Sequence, residues 1–216
     1  KVDRSVTGKV ARQQCCGRIQ LPLSDLGAVA MDYQGEKGIA VSIGHAPMAA
    51  LIDPAHGSVL SIAEALTNIL WAPFTHGLKG ISLSANWMWP CKNKGEDARL
   101  YEAVEAASQF ACELGINIPT GKDSLSMTQK YPNGEVVLSP GTVIISAAGE
   151  VSDIKKIVNP VLQYKEDTEI LYLDMSSDSM KLGGSCFAQV NNLLGSETPT
   201  VKNTAYFKKV VEVIQH

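Results

Sequence analysis

The sequence predicts an α/β domain over residues 1–152, followed by the start of a second domain over residues 153–216. Strand-like apolar runs alternate with helix-like stretches in the first part. The Asn133-Gly134 pair is a strong hairpin-turn signal. The composition becomes polar over residues 152–167, which indicates a domain boundary. No internal repeat is evident.

Local patterns predict two helices in the first domain. Asp53-Pro54 predicts a helix start, because an N-cap oxygen precedes a proline at the first helical position, and this apolar helix should end near Trp71. A second, amphipathic helix is predicted over 96–115, with Gly115 as its left-handed cap.

The other predicted elements of this domain are strands and loops. Residues 1–20 mix charges with small residues, which predicts an N-terminal loop. The segment INIPTGKDSLSM predicts a short strand, a turn and another strand. The main strands are predicted over 27–33, 37–44, 78–87 and 141–150, the first two as a hairpin.

The second part should begin with a strand over 169–175. A glycine turn into a helix is predicted over 181–195, followed by a last helix over 205–216.

Composition argues against several classes of protein. The 216 residues carry a net charge of −3 and show no basic stripe, so nucleic-acid or anionic-membrane binding is not expected. No apolar run reaches the roughly 18 residues of a membrane span. The five cysteines are odd in number and form no CxxC, which indicates a reducing cytoplasm. The four histidines lie in no recognisable nucleophile motif, which argues against a catalytic cysteine.

Glu64 is the only formal charge between residues 54 and 78, within an apolar helix. Glu64 and Asn68 are four residues apart and therefore point the same way. A buried carboxylate needs compensation, because an unpaired one costs several kcal/mol, about 3 or more. A lysine or arginine partner, a structural hydrogen bond, or a hard cation such as Mg²⁺ or Ca²⁺ would each provide it.

Other polar motifs also have two interpretations. The segment GINIPTGKDS fails as a phosphate-binding P-loop, because its spacing is one residue too long and Asp123 replaces the Ser or Thr. Its GKDS residues form either a solvated turn or a binding site. Ser24-Asp25 is either a turn that caps its own backbone or a ligand at a strand edge. The LGGS segment is either an anion site or a tight turn before a helix.

Eight motifs together resemble the large form of phosphoribosylformylglycinamidine synthase, the glutamine- and ATP-dependent amidoligase of purine biosynthesis. They are, in chain order, VDRSVTGKVARQQC, LPLSD, AEALTN, LSANWMW, GEDARLYEAV, GKDSLSM, SPGTVIISA and LGGS. Members of this family carry two synthase halves of the aminoimidazole-ribotide-synthetase type and a glutaminase domain. The resemblance implies the N-terminal domain of the second half, with a mixed sheet and packed helices, plus the start of its C-terminal α/β domain.

The resemblance also implies a Mg²⁺ and nucleotide site. Asp25, Glu64 and Asn68 match metal-binding positions of the family, and a shared cation would offset the burial of Glu64. Ser24 matches a position beside the nucleotide, ATP or ADP, where the family often has alanine. Lys122 and Asp123 of GKDSLSM are further candidates for cofactor binding. The family's additional metal ligand lies in a downstream motif beyond His216, so we expect an incomplete metal shell and assign no catalytic residue.

In this family the amide oxygen of formylglycinamide ribotide is phosphorylated, and ammonia from glutamine then displaces the phosphate. The implied partners are the other synthase half and the glutaminase domain of the same parent chain. Alone, the chain should be inactive and should self-associate as a dimer through an apolar surface. One alternative is a pseudo-active structural half that holds a trapped nucleotide. A free-standing kinase such as a thiamine-phosphate kinase is disfavoured by GKDSLSM and by the missing Asp-Gly signature near residue 25.

Overall fold

The computed structural model describes residues 8–216, and it contains ten strands and five α-helices in that range. The strands are β1 (Val10–Arg12), β2 (Cys15–Cys16), β3 (Leu21–Pro22), β4 (Leu26–Ala30), β5 (Gly38–His45), β6 (Ile81–Met88), β7 (Asn117–Ser124), β8 (Thr128–Lys130), β9 (Val136–Leu138) and β10 (Thr142–Val151). The helices are α1 (Pro47–Ile52), α2 (Pro54–Ile69), α3 (Glu96–Leu114), α4 (Cys186–Val190) and α5 (Thr204–Ile214). Over residues 8–216, no helix has the length and apolar character that crossing a bilayer requires.

Six strands form one mixed sheet in the order β1-β4-β5-β10-β6-β7. The strand β10 lies near its centre and pairs antiparallel with both β5 and β6. The only parallel pair in the described sheet is β6 with β7, and α3 supplies the crossover that such a pair requires. The predicted mixed sheet with packed helices is therefore confirmed.

The helices α2 and α3 pack on one face of this sheet and leave the other face open. Along β5 the side chains alternate, so that Ala40 and Ser42 are buried beneath α2. Ile39, Val41 and Ile43 point away from the helices and are 39%, 49% and 58% exposed. The core thus lies between sheet and helices, and the outer face of β5 is a row of exposed β-branched side chains.

The backbones of α2 and β5 lie in direct contact at Gly44. A Cβ atom added at Gly44 would lie 2.2 Å from the carbonyl oxygen of Ser61 and 2.3 Å from the backbone nitrogen of Ala65. Beside it, the hydroxyl of Ser42 donates a hydrogen bond of 2.6 Å to the carbonyl of Ala65. Since no side chain fits between them, the helix is held at a fixed height over the strand.

Most elements predicted for the first domain are confirmed. The hairpin of β4 and β5 and the helices α2 and α3 lie where the patterns place them, and Gly115 caps α3 with a φ of +76°. A hairpin also forms at Asn133-Gly134, although its loop spans residues 131–135 and is longer than the predicted two-residue turn.

Two local predictions for this part are wrong, and one helix was not predicted. GKDS forms no turn, because its residues continue β7 through Ser124 and pair in parallel with β6. The N-terminal loop contains the edge strand β1, which pairs with β4. The helix α1 was not predicted, since its six residues are too few to show a helical period. Residues 1–7, including the start of the VDRSVTGKVARQQC motif, lie outside the described residues.

The strand predicted over 169–175 does not form. Ile170, Leu171 and Tyr172 are each about four-fifths exposed. A strand needs a neighbour for its backbone hydrogen bonds, and within residues 8–216 no sheet edge pairs with this segment. The pattern therefore identified a β-prone stretch that has no strand partner among residues 8–216.

The rest of the second part is anchored to the first domain. The predicted glycine turn leads into α4, and α5 packs on α3 through an edge-to-face contact of Phe207 with Phe110, with ring centroids 5.7 Å apart. The buried carboxylate of Asp178 accepts a hydrogen bond of 2.6 Å from Lys202, which holds the pKa of Asp178 well below its usual range. The boundary at residues 152–153 remains a prediction.

We predict that Gly44→Ala destabilises the fold by about 2 kcal/mol or more, because the added methyl group would collide with the backbone of α2. The matched control is Gly27→Ala on the adjacent strand, whose Cβ would meet only the side chain of Val41 at an ordinary 3.7 Å. Urea unfolding of both variants checks the prediction. Equal stability of the two variants would contradict it.

Candidate functional site

A cavity of about 790 Å³ extends from the start of β4 and α2 across the exposed outer face of β5. Its lining includes four of the six side chains that the sequence predicted to bind metal or cofactor: Ser24, Asp25, Glu64 and Asn68. These residues come from two separate segments, so the fold brings the predicted metal trio into one cavity. Whether the three residues bind a cation remains a prediction.

The strand β4 begins opposite Ser42, so residues 43–45 at the end of β5 have no partner in β4. We call the part of the cavity between this end of β5, Asp25 and α2 the corner. There the amide of Asn68 donates a hydrogen bond of 3.0 Å to the carbonyl of Ile43. The backbone N–H of His45 donates one of 2.5 Å to Glu64 Oε2. Two side chains of α2 thus satisfy backbone groups of β5 beyond the point where its pairing with β4 ends.

Glu64 is not buried, contrary to the prediction. Its side chain is 45% exposed, because this side of α2 projects past the start of β4 instead of onto the sheet. Across residues 8–216 its one ion-pair contact is His45 Nδ1 at 3.6 Å, a salt bridge only when that histidine is protonated. Neither a lysine nor an arginine of the described chain pairs with it, and Lys122 is not its partner. The hydrogen bond from His45 supports the structural interpretation of Glu64 but does not use all of its oxygens.

The remaining oxygen atoms suit a hard cation. Glu64 Oε1 and Asn68 Oδ1 accept no hydrogen bond from the described residues, and Asp25 is exposed in the same cavity. Carboxylate and amide oxygens are the ligands that Mg²⁺ and Ca²⁺ prefer. Among residues 8–216, no group of three or more His, Cys, Asp or Glu side chains is arranged so that it could hold a metal ion. A cation in this corner would therefore have two carboxylates and one amide from this chain.

Ser24 takes part in a local turn. Its hydroxyl donates a hydrogen bond of 3.0 Å to the carbonyl of Leu26, and its backbone N–H donates one to Gln14. These hydrogen bonds agree with the interpretation of Ser24 as a turn residue that bonds its own backbone. Its oxygen can still accept a hydrogen bond from a ligand in the cavity.

Lys122 and Asp123 lie away from this corner. They belong to β7, and β5, β10 and β6 separate that strand from β4. Four strand spacings amount to roughly 19 Å along the sheet. Lys122 Nζ donates a hydrogen bond of 2.6 Å to the hydroxyl of Ser124. Lys122 and Asp123 line a separate cavity of about 500 Å³. Their proposed role in cofactor binding is still a prediction, and it does not involve the cavity of Asp25.

Arg12 is a candidate that sequence reasoning missed. It lines the cavity of Asp25 and Glu64, and its Nη2 donates a hydrogen bond of 2.8 Å to the carbonyl of Ile157. Its Nε is buried and has no hydrogen-bond partner among the described residues. A guanidinium group such as that of Arg12 is a common ligand of phosphate. The VDRSVTGKVARQQC motif contains this arginine, but no spacing rule distinguishes it from the other basic residues of the motif.

Residues 1–150 match the family model of the FGAR-AT PurM_N-like domain. The chain belongs to this family. The FGAR-AT PurM_N-like chain is also 44% identical over 217 residues to the "Probable phosphoribosylformylglycinamidine synthase" of Caenorhabditis elegans. That alignment covers 100% of this chain but 16% of the relative, so the chain spans about one sixth of that protein.

Solved structures support the same fold. PurL of T. maritima complexed with ATP is 18% identical, with a TM-score of 0.51, and the alignment covers 63% of this chain and 22% of that one. PurL of T. maritima complexed with FGAR is 20% identical, also with a TM-score of 0.51, over 64% of this chain and 21% of that one. At such low identity, the likeness of this FGAR-AT PurM_N-like chain to PurL concerns the fold alone.

We predict that the free energy of unfolding of Glu64→Gln in metal-free buffer differs from that of the unmodified protein by less than about 0.5 kcal/mol, because the glutamine oxygen can still accept the hydrogen bond from His45. Glu64→Ala removes that acceptor and should cost about 1 kcal/mol. Urea unfolding in the presence of a chelator measures both variants. A stable Glu64→Ala protein would show that this hydrogen bond does not support the corner.

Proposed function

We propose that this chain provides a magnesium–nucleotide site of a phosphoribosylformylglycinamidine synthase. Such a ligase uses ATP, and ammonia from glutamine, to convert formylglycinamide ribotide to the amidine in purine biosynthesis. The corner cavity carries the proposal, because oxygen ligands from the residue before β4 and from α2 line it together with the guanidinium group of Arg12. The names of the relatives agree with this assignment.

The chemistry of the corner fits its proposed ligand. Asp25 and Glu64 supply two negative charges and Asn68 a neutral oxygen, which together suit Mg²⁺. A bound Mg²⁺ would neutralise phosphate charge, and phosphoryl transfer depends mainly on such neutralisation and on positioning. Arg12, which lines the same cavity, would contact a phosphate oxygen through its guanidinium group. In this arrangement the carboxylates would bind the metal, and the positive charges of the metal and of Arg12 would offset their repulsion of the phosphates.

The complete reaction requires more than this chain. The chain spans about 16% of its C. elegans relative, so we propose that it works with a second synthase half and a glutaminase domain. Two surfaces support this: the exposed outer face of β5 and the unpaired apolar segment 169–175. We also propose that residues 153–216 begin a second domain. The five free cysteines fit a cytoplasmic protein.

A second candidate function is a structural half that holds a nucleotide without turnover. Its support is that Glu64 and Asn68 also satisfy the backbone of β5, so a ligand bound there would stabilise the fold. Radiolabelled ATP bound to the longer synthase distinguishes the two functions. Conversion of the label at the rate of amidine formation favours the catalytic site, whereas retained label favours the structural one.

We predict that the chain binds Mg-ADP and that Asp25→Asn weakens this binding at least tenfold, because a neutral amide is a poorer ligand for Mg²⁺. Glu64→Gln should behave in the same way while the fold stays intact. Isothermal titration with and without Mg²⁺ measures the effect. The matched control is Glu105→Gln, an exposed carboxylate on α3 that should leave binding unchanged. Magnesium-independent binding, or equal loss in the control, would contradict the proposed site.

We also predict that the chain self-associates through the outer face of β5. That face exposes Ile39, Val41 and Ile43, and its burial against another copy would remove apolar surface from water. Sedimentation velocity at tens of micromolar should show a dimer, and Val41→Lys should shift it to monomer. The control is Val104→Lys, an exposed valine on α3. A monodisperse monomer would argue against this interface.

A further inference from the structure

A second cavity, of about 300 Å³, adjoins the corner. The two cavities share the residues Ser24, Asp25, Leu26 and Asn68. Beyond these shared residues the linings differ. The larger cavity continues to Glu64 and Arg12, whereas the smaller one continues to Trp71 and to residues 158–162.

Glu64 and Asn68 lie four residues apart on one side of α2, which ends at Ile69. Trp71 follows two residues after that end and lines the smaller cavity together with Asn68. The adjoining cavities thus present a carboxylate, then an amide, then an indole. A magnesium-bound nucleotide has a related order of parts, with a charged phosphate end and an aromatic base at the other end.

The indole of Trp71 is available to a ligand. It is 46% exposed, unlike Trp89, which is fully buried. Val158, Pro160 and Leu162 form the opposite, apolar part of the lining. The backbone N–H of Val158 donates a hydrogen bond of 3.0 Å to the carbonyl of Trp71, and this bond holds the two sides together. A mostly apolar cleft with a few polar groups at one end is typical of a small-molecule site.

We propose that the smaller cavity binds the purine base of the nucleotide, which stacks on Trp71 while Asp25, Glu64 and Asn68 bind the magnesium ion of the Mg-nucleotide. This inference rests on the proposed function. Stacking on an aromatic side chain is a general way of binding a base, because every base has a π face. The ribose would lie beside Ser24, at the junction of the two cavities. Residues 158–162, which follow the first domain, would then contact the base.

The test compares Mg-ADP with Mg-pyrophosphate, which lacks the base and ribose. Each is titrated to millimolar concentration into the ¹⁵N-labelled full chain, and binding is followed by the indole N–H signals and by amide shifts. Trp71→Ala should weaken Mg-ADP about tenfold and change Mg-pyrophosphate less than twofold. Trp71→Phe, which keeps a stacking ring, should recover most of the affinity. The control is Tyr101→Ala, an exposed aromatic residue on α3.

In the unmodified protein, Mg-ADP should shift the Trp71 indole signal, and Mg-pyrophosphate should not. Unchanged Mg-ADP affinity in Trp71→Ala, or an equal loss for both probes, would overturn the base subsite. If Asp25→Asn still weakens both probes in that case, the magnesium–nucleotide proposal survives and only the subsite is wrong. If neither probe binds in a magnesium-dependent way, the proposed function fails and the subsite fails with it.

Discussion

The close contact between α2 and β5 determines the geometry of the candidate site. With no side chain at Gly44, the helix backbone approaches the strand directly, and Ser42 adds a hydrogen bond to the helix carbonyl of Ala65. This contact sets both the height and the rotation of the helix. Glu64 and Asn68 consequently reach the end of β5, and the cavity beside Asp25 takes its shape from them.

Local sequence patterns were sufficient to predict most helices and strands of the first domain, but not how these elements are arranged in space. Caps and periodicity predicted α2 and α3, and alternation predicted the strands of the sheet. The exposure of Glu64 depends on where β4 starts to pair with β5. That position is set by tertiary structure and cannot be seen in a local sequence pattern. The separation of Lys122 from Asp25 follows from β10 inserting between β5 and β6, which no local pattern shows. A pattern also cannot tell whether the segment 169–175 finds a strand to pair with.

The corner shows how one set of side chains can meet two demands. Glu64 and Asn68 each use one atom to satisfy the backbone of β5 and keep another oxygen free. Glu64 accepts with one carboxylate oxygen and keeps the other, whereas Asn68 donates from its amide nitrogen and keeps its oxygen. The structural hydrogen bonds hold these side chains in place before any ligand arrives, which lowers the entropy cost of binding. The structural and metal-binding interpretations of Glu64 are therefore compatible.

The position of β10 at the centre of the sheet has a consequence for the folding of the chain during its synthesis on the ribosome. The proposed metal ligands Asp25, Glu64 and Asn68 leave the ribosome well before β10, which begins at Thr142 and adds Ser146, Ala147 and Ala148 to the lining of the same cavity. At typical elongation rates of about 10 residues per second, β5 waits about 10 seconds for its second neighbour. During that interval its free edge is available to other nascent chains, and the aligned apolar residues of its outer face add to the hazard. The proposed metal ligands are thus synthesised early, whereas the sheet and the lining of their cavity are completed only after β10 has been added.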